Sequence, residues 1–307
     1  MGIYKYNGTT LGSTFNANGV MLFQAYDVFG NELLYDWITH AADSGYSFTD
    51  GINSCSTKLM FNFGTTSFQS VVLDRSKYLF YRASTDDKVY PYNNTLTAQS
   101  TITLPSTGGH KNDGCYYNGH VYWLDGTAAD NTALYVWDVS ANTLQSVSIP
   151  VSDNPNGSKR VVAGICNTDT SGFMYLVSRD QYNGSDIDHQ TGDVMCVYRY
   201  DVTNNTVELI NSYDWDCVYV QGATYVGGKL YVACNTQTTG SASNYTGITI
   251  KIIDTTTWEI AKTLTCSGSY EPQGCDHITY GDNSYIWTGL SKYNTVDKVV
   301  LLQVNTL

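Results

Sequence analysis

Val220-Gln221-Gly222-Ala223-Thr224-Tyr225-Val226-Gly227-Gly228-Lys229-Leu230-Tyr231-Val232 reads as a short strand entered at Gly222, a Gly-Gly turn and a second apolar strand. The same order begins at Asp113-Gly114-Cys115, Ala163-Gly164-Ile165 and Gln273-Gly274-Cys275, with Gln69-Ser70-Val71 as a looser copy. Successive copies start 44, 50, 58 and 52 residues apart. In a chain with no sustained helical period, a repeat of this length predicts propeller blades, since each unit can bury its faces only against its neighbours. The expected fold is all-β: a five-bladed β-propeller over residues 57–307, preceded by a small β-rich attachment or oligomerisation segment, residues 1–56.

Each blade reads as four strands. The second has Cys115–Tyr117, His120–Leu124, Ala133–Asp138 and Gln145–Pro150. The turn between its last two strands recurs in three near copies, starting at Asp138, Asp201 and Asp254. An Asp side chain there accepts from backbone N–H groups two residues on, so these carboxylates read as structural. The last blade lacks its fourth strand, because the chain stops at Asn305-Thr306-Leu307. An open ring would expose a bare sheet edge. The alternating segment Lys58-Leu59-Met60-Phe61-Asn62-Phe63 is expected to supply the missing strand and close the ring. Upstream, Asn7-Gly8 marks a hairpin turn, the segments 22–26 and 32–37 read as a second hairpin, and 37–42 as one helical turn.

Composition narrows the function classes. Tyr is abundant at 26 residues, which suits pleated surfaces, and charged residues are only 14%. The net charge of −12 and the absence of a basic run argue against nucleic-acid or anionic-membrane surfaces, which need clustered cations. The opening Met1–Tyr6 is polar, without the apolar stretch of a secretion leader, so synthesis in a cytoplasm is expected. No apolar run approaches the ~20 residues of a membrane-spanning helix. The eight Cys form no CxxC pairs, and Cys115 and Cys275 occupy the blade position of Ile165 and Ala223. They read as buried thiols serving as small apolar filler.

In a propeller, the loops entering the innermost strands share one face around the central channel, where ligands commonly sit. The residue before each repeat Gly is therefore expected at this mouth: Gln69, Asp113, Ala163, Gln221 and Gln273, with Glu271 beside them. Amides and carboxylates suit sugar hydroxyls, although bonding to nearby backbone or channel water would serve equally. Trp215 and Tyr219, with Tyr213, Tyr245 and Tyr293, could stack on sugar rings from adjoining loops, while Trp123, Trp137 and Trp287 fall in strands and read as core. The long loop 179–193 carries Asp180, Asp186, Asp188, His189 and Asp193. The trio Asp186, Asp188 and Asp193 is a weak calcium candidate, its spacing unlike an EF-hand, and a solvated acidic loop fits better. No other metal site and no cofactor are expected. A glycosidase needs two carboxylates ~5–10 Å apart. Asp113, Asp125, Asp180, Asp216 and Glu271 could supply such a pair, yet no motif marks one. Nucleophile elbows, HExxH and phosphate loops are absent.

Val220–Val232 and Glu271-Pro272-Gln273-Gly274-Cys275-Asp276-His277-Ile278-Thr279-Tyr280 resemble the five-bladed domains of phage tail and receptor-binding proteins and the prophage propellers labelled teichoic-acid-biosynthesis-like. The resemblance covers about Lys58 to Leu307. Ile3–Gly8 and Ala25–Asn31 look like short attachment segments of gut-phage structural proteins. Gln69, Gln221, Gln273 and Glu271 match as mouth residues, whereas Asp113 and Ala163 depart from the Gln pattern. The resemblance implies a virion adhesin, built without a secretion signal, that binds a bacterial surface glycan. It would dock to other virion proteins through residues 1–56 and commonly form a trimer. A glycan hydrolase or depolymerase and a purely structural virion decoration are the alternatives.

Overall fold

The structure is a computed structural model describing residues 4–6, 9–11, 41–64, 68–77, 79–93, 96–105, 110–125, 133–151, 159–181, 194–214, 219–237, 245–268, 270–280, 283–292 and 296–304. The chain is all-β, with no α-helix among the described residues.

Strands β1 (Tyr4–Tyr6) and β2 (Thr9–Leu11) form the expected antiparallel pair, with Tyr6 opposite Thr9; Asn7 and Gly8 lie outside the described residues. The second expected hairpin lies outside the described residues, as does most of the expected helical turn; its last two residues, Ala41 and Ala42, carry no secondary structure. Next come β3 (Asp43–Thr49) and β4 (Ser54–Gly64), an antiparallel pair.

Four antiparallel meanders follow. They are β5 (Phe68–Asp74) to β8 (Ile102–Thr103), through β6 (Leu79–Ser84) and β7 (Lys88–Tyr92); and β9 (Lys111–Tyr117) to β12 (Thr143–Ser148), through β10 (His120–Asp125) and β11 (Ala133–Asp138). The third comprises β13 (Lys159–Asn167), β14 (Phe173–Gln181), β15 (Val194–Asp201) and β16 (Thr206–Asp214). The fourth comprises β17 (Tyr219–Val226), β18 (Lys229–Gln237), β19 (Tyr245–Asp254) and β20 (Glu259–Ser267). The chain ends in β21 (Glu271–Tyr280), β22 (Asn283–Lys292) and β23 (Val296–Gln303).

The outer edge of β23 is covered by β4. Leu301 faces Lys58, Val299 faces Phe61 and Asp297 faces Gly64. The segment expected to complete the last unit thus does so. The partner β3, not expected from the sequence as part of this sheet, reaches across to β20 through Thr49 opposite Thr265. The fourth and fifth units consequently merge into one nine-stranded sheet.

The core lies between units. Val72, Tyr81 and Ala83 of the first pack with Val121, Trp123 and Trp137 of the second. Similar clusters join the second unit to the third, the third to the fourth, and the fourth to the fifth. Another joins the fifth to the first, with Phe61, Ile278, Trp287 and Val299 against Val71, Leu73 and Phe80. Trp123, Trp137 and Trp287 are buried as expected, and Trp123 stacks on Trp137 at 5.7 Å. Each such large side chain contributes ~1.5–3 kcal/mol through removal from water. The first strands of the units also touch in order, β5 to β9, β13, β17 and β21, and β21 touches β5.

The expected turn chemistry is present. Asp138 Oδ1 accepts from Ser140 and Ala141 N–H, Asp201 Oδ1 from Thr203 and Asn204, and Asp254 Oδ1 from Thr256. Asn142 and Asn205, at positive φ in two of these turns, also tie units together by donating to the carbonyls of Thr103 and Ser148 in the preceding unit.

Candidate functional site

The repeated Gly exists because the first strands approach each other too closely for side chains. A Cβ on Gly222 would lie 2.6 Å from the carbonyl carbon of Gly274, and one on Gly164 would lie 2.9 Å from Ala223 Cβ. The ladder also shifts register beside these positions in all five units, between Phe68 and Ser70, Lys111 and Gly114, Val162 and Gly164, Val220 and Gly222, and Gln273 and Cys275. A bulge breaks the ladder and releases backbone N–H groups from it.

Asp113 collects those groups. Its Oδ2 accepts from Ile165 N–H at 2.8 Å and Ala223 N–H at 2.8 Å, and its Oδ1 from Cys275 N–H at 3.0 Å. Donors from three other units thus meet one fully buried carboxyl group. Burial raises its pKa well above the ordinary carboxylate range, and the N–H donors oppose that rise. The sequence reading placed Asp113 at an open mouth as a ligand-binding or catalytic candidate. That placement is corrected here: the group is enclosed and its oxygens are taken by backbone.

On one side of this layer, where the first strands begin, lie the expected amides. Gln69 Oε1 bonds His110 Nε2, and Gln221 Nε2 donates to Glu271 Oε1 at 2.7 Å. Gln69, Gln221 and Gln273 are all buried. The Oε1 atoms of Gln221 and Gln273, and Asn112 Oδ1, are enclosed with no hydrogen-bond partner among the described residues. Lys111, fully buried, donates to the carbonyls of Ser84 at 3.3 Å and Asp86 at 2.5 Å. Burial lowers the pKa of both His110 and Lys111. The sequence reading missed Lys111 and Asn112, although both directly precede Asp113, because a cation and an amide at a strand start resemble any solvated loop end.

On the other side sits an enclosed polar knot. Asp276 accepts from Leu73 N–H at 2.9 Å and pairs with Arg75, whose Nη2 also donates to the His277 carbonyl at 2.6 Å. Nη2 lies 3.0 Å from His277 Nδ1, and Thr224 Oγ1 lies 2.8 Å from the same nitrogen. A guanidinium only donates, so Nδ1 is an acceptor and the imidazole is neutral. Burial, reinforced by Arg75, holds the His277 pKa well below its usual value. This knot fastens the fifth unit to the first, together with Trp287 Nε1 donating to the Val71 carbonyl at 3.1 Å.

The other candidates are not brought together. Trp215, Tyr293, Asp216, His189 and the calcium trio Asp186, Asp188 and Asp193 lie outside the described residues, and Tyr219 opens β17. Asp125 accepts from the Tyr135 hydroxyl at 2.9 Å. Among the described residues, no three His, Cys, Asp or Glu side chains are grouped to hold a metal. The described cysteines are free thiols, Cys115 and Cys275 both buried.

No protein-family model matches the chain, and no curated protein matches it. Among solved structures, the chain is similar to the crystal structure of a thermostable family-43 glycoside hydrolase, with 14% identity and a TM-score of 0.48. That alignment covers 80% of this chain and 92% of the other. At this distance the chemistry of the site must be argued from the chain's own residues.

Proposed function

We propose that the five units form a closed five-bladed β-propeller whose mouth, around Gln69, Gln221, Glu271 and Gln273, takes a glycan from a bacterial surface. The closure reading is supported by β4 on β23, by the apolar cluster between the last unit and the first, and by Asp113 tied to three other units. The glycan reading is carried by one observation. Gln221 and Gln273 present enclosed amide oxygens that no described residue pairs. A buried acceptor left empty costs about 1–3 kcal/mol, and turning these amides outward onto ligand hydroxyls would relieve it. Placement on a phage particle, docking through residues 1–56 and a trimeric state rest on the sequence resemblance alone.

Hydrolysis is the second reading, because Glu271 brings a carboxylate to the same mouth. It needs a second carboxylate. Asp113 is enclosed and Asp276 is paired on the far side of the Gly layer, so Asp125, opposite Lys111 and bonded by the Tyr135 hydroxyl, is what remains of these candidates among the described side chains, and no distance pairs it with Glu271. Incubation with purified cell-wall glycans, scoring both retention and release of reducing ends, separates the two. Retention without release is expected, with at least tenfold weaker retention when Gln221 and Gln273 are both changed to Leu. Release that disappears in Glu271→Gln would establish a hydrolase instead. Neither retention nor release would remove the glycan reading.

A further inference from the structure

Arg82 is a buried cation that the fold does not pair with a carboxylate among the described residues. It lies on β6, only 7% exposed, with its guanidinium 4.2 Å from the Tyr90 ring centroid and 4.7 Å from that of Phe63. Phe63 is on β4 and packs against the cluster that joins the fifth unit to the first, so Arg82 sits at that seam, two residues along β6 from Phe80 of the cluster. No carboxylate pairs with it and no acceptor bonds it among the described residues. Its Nε is fully enclosed without a partner. Asp86, in the turn that follows its strand, accepts instead from the Tyr90 hydroxyl at 2.7 Å. Two arginines that are more exposed have carboxylate partners. Arg75, at 32% side-chain exposure, has Asp276, and Arg199, at 48%, has Glu208. In a chain with 28 acidic residues, the arginine deeply buried at this seam lacks one.

A buried charge without a counter-ion is costly, and contact with two aromatic faces returns only part of that cost. The enclosed atom is Nε. The terminal Nη nitrogens are neither bonded nor fully enclosed, so what remains of the side chain's exposure is available to a ligand. The site also lies toward the mouth. Two residues beyond Arg82, the Ser84 carbonyl receives Lys111 Nζ, and Ser84 pairs with Phe68, next to Gln69.

We infer that Arg82 is an oxyanion-binding residue, and that the glycan taken at the mouth carries a carboxylate or phosphate that this guanidinium grips through its Nη edge. The inference rests on the glycan reading for the identity of the carrier, though not for the anion. A planar guanidinium fixed between two rings is already ordered, so little side-chain entropy is lost when it meets a two-oxygen partner.

Three measurements test it together. First, retention is compared on neutral, uronate-bearing and phosphate-bearing glycans, with wild type, Arg82→Met and Arg82→Lys. At least tenfold stronger retention of one anionic class over neutral glycans is expected. Arg82→Met should abolish that preference while leaving neutral retention in place, and the class retained names the source of the anion. Equal preference in Arg82→Met overturns the inference without touching the glycan reading. Second, the Nε–Hε resonance of Arg82 is followed by NMR while glucuronate or inorganic phosphate is added. It should move saturably with one of them, and a resonance indifferent to both overturns the inference even if no glycan binds. Third, thermal unfolding of Arg82→Met should show an unchanged or raised midpoint. A lowered midpoint, with Arg82→Lys restoring it, would make Arg82 a packing cation and nothing more.

Discussion

Asp113 shows how one side chain can tie four units together. Three backbone donors from three units converge on it, so its loss leaves three enclosed N–H groups unpaired. At about 1–3 kcal/mol for each, Asp113→Ala should cost at least ~3 kcal/mol, which is much of the stability of an ordinary domain. Asp113→Asn should cost less, because its amide oxygen can keep the Ile165 and Ala223 donors while its nitrogen faces the Cys275 N–H. Urea unfolding of both variants checks this, and a loss under ~1 kcal/mol in Asp113→Ala would show that the convergence is incidental. His277 gives a second test at this scale. Its folded pKa is depressed, so below the unfolded value of ~6.5 the unfolded chain binds the extra proton. Stability should be full above that pH and fall as the pH drops from about 6.5 toward 5, by up to ~1.4 kcal/mol per pH unit, with His110 acting in the same direction. Melting curves from pH 8 to 5 should show this decline, shallower in His277→Gln. An identical slope in the variant would mean His277 is not the group responsible. Neither role was legible in the sequence. Asp113 stood at the residue before the repeat Gly, which was readable, but whether that position opens to solvent depends on how tightly the inner strands approach.

Most elements were legible because their signals are local. The turn Asp residues reappear at Asp138, Asp201 and Asp254, where an acceptor two residues ahead of free N–H groups suffices. The β1–β2 pair and the closing strand were likewise readable from turn chemistry and alternation. Strand β3 was not. It pairs with β20 only through Thr49 opposite Thr265, a contact between residues far apart in sequence with no periodic signature. First strands also begin earlier than the sequence suggested, at Lys111 rather than Cys115 and at Glu271 rather than Cys275. The bulge at the repeat position explains this. It interrupts the alternation that marks a strand, so the polar residues before it read as loop.

At the scale of the molecule, five apolar clusters lie between successive units, and the fifth joins the chain's end to its start. The repeat was legible because the inner strands of several units need a small residue where they approach a neighbour. Repeat counting could not find Arg82, whose importance lies in the absence of a partner, a property that only the packed seam between the first and last units reveals. The same seam decides whether the mouth exists as a single enclosed surface. Amide hydrogen exchange read by mass spectrometry measures it most directly, peptide by peptide. If β4 closes the ring, a peptide spanning 57–64 should exchange as slowly as those spanning 296–303 and 285–292, and all three should open together with global unfolding. If 57–64 exchanges within seconds while 285–292 stays protected, the ring is open at that edge, and the closed propeller with its mouth is contradicted.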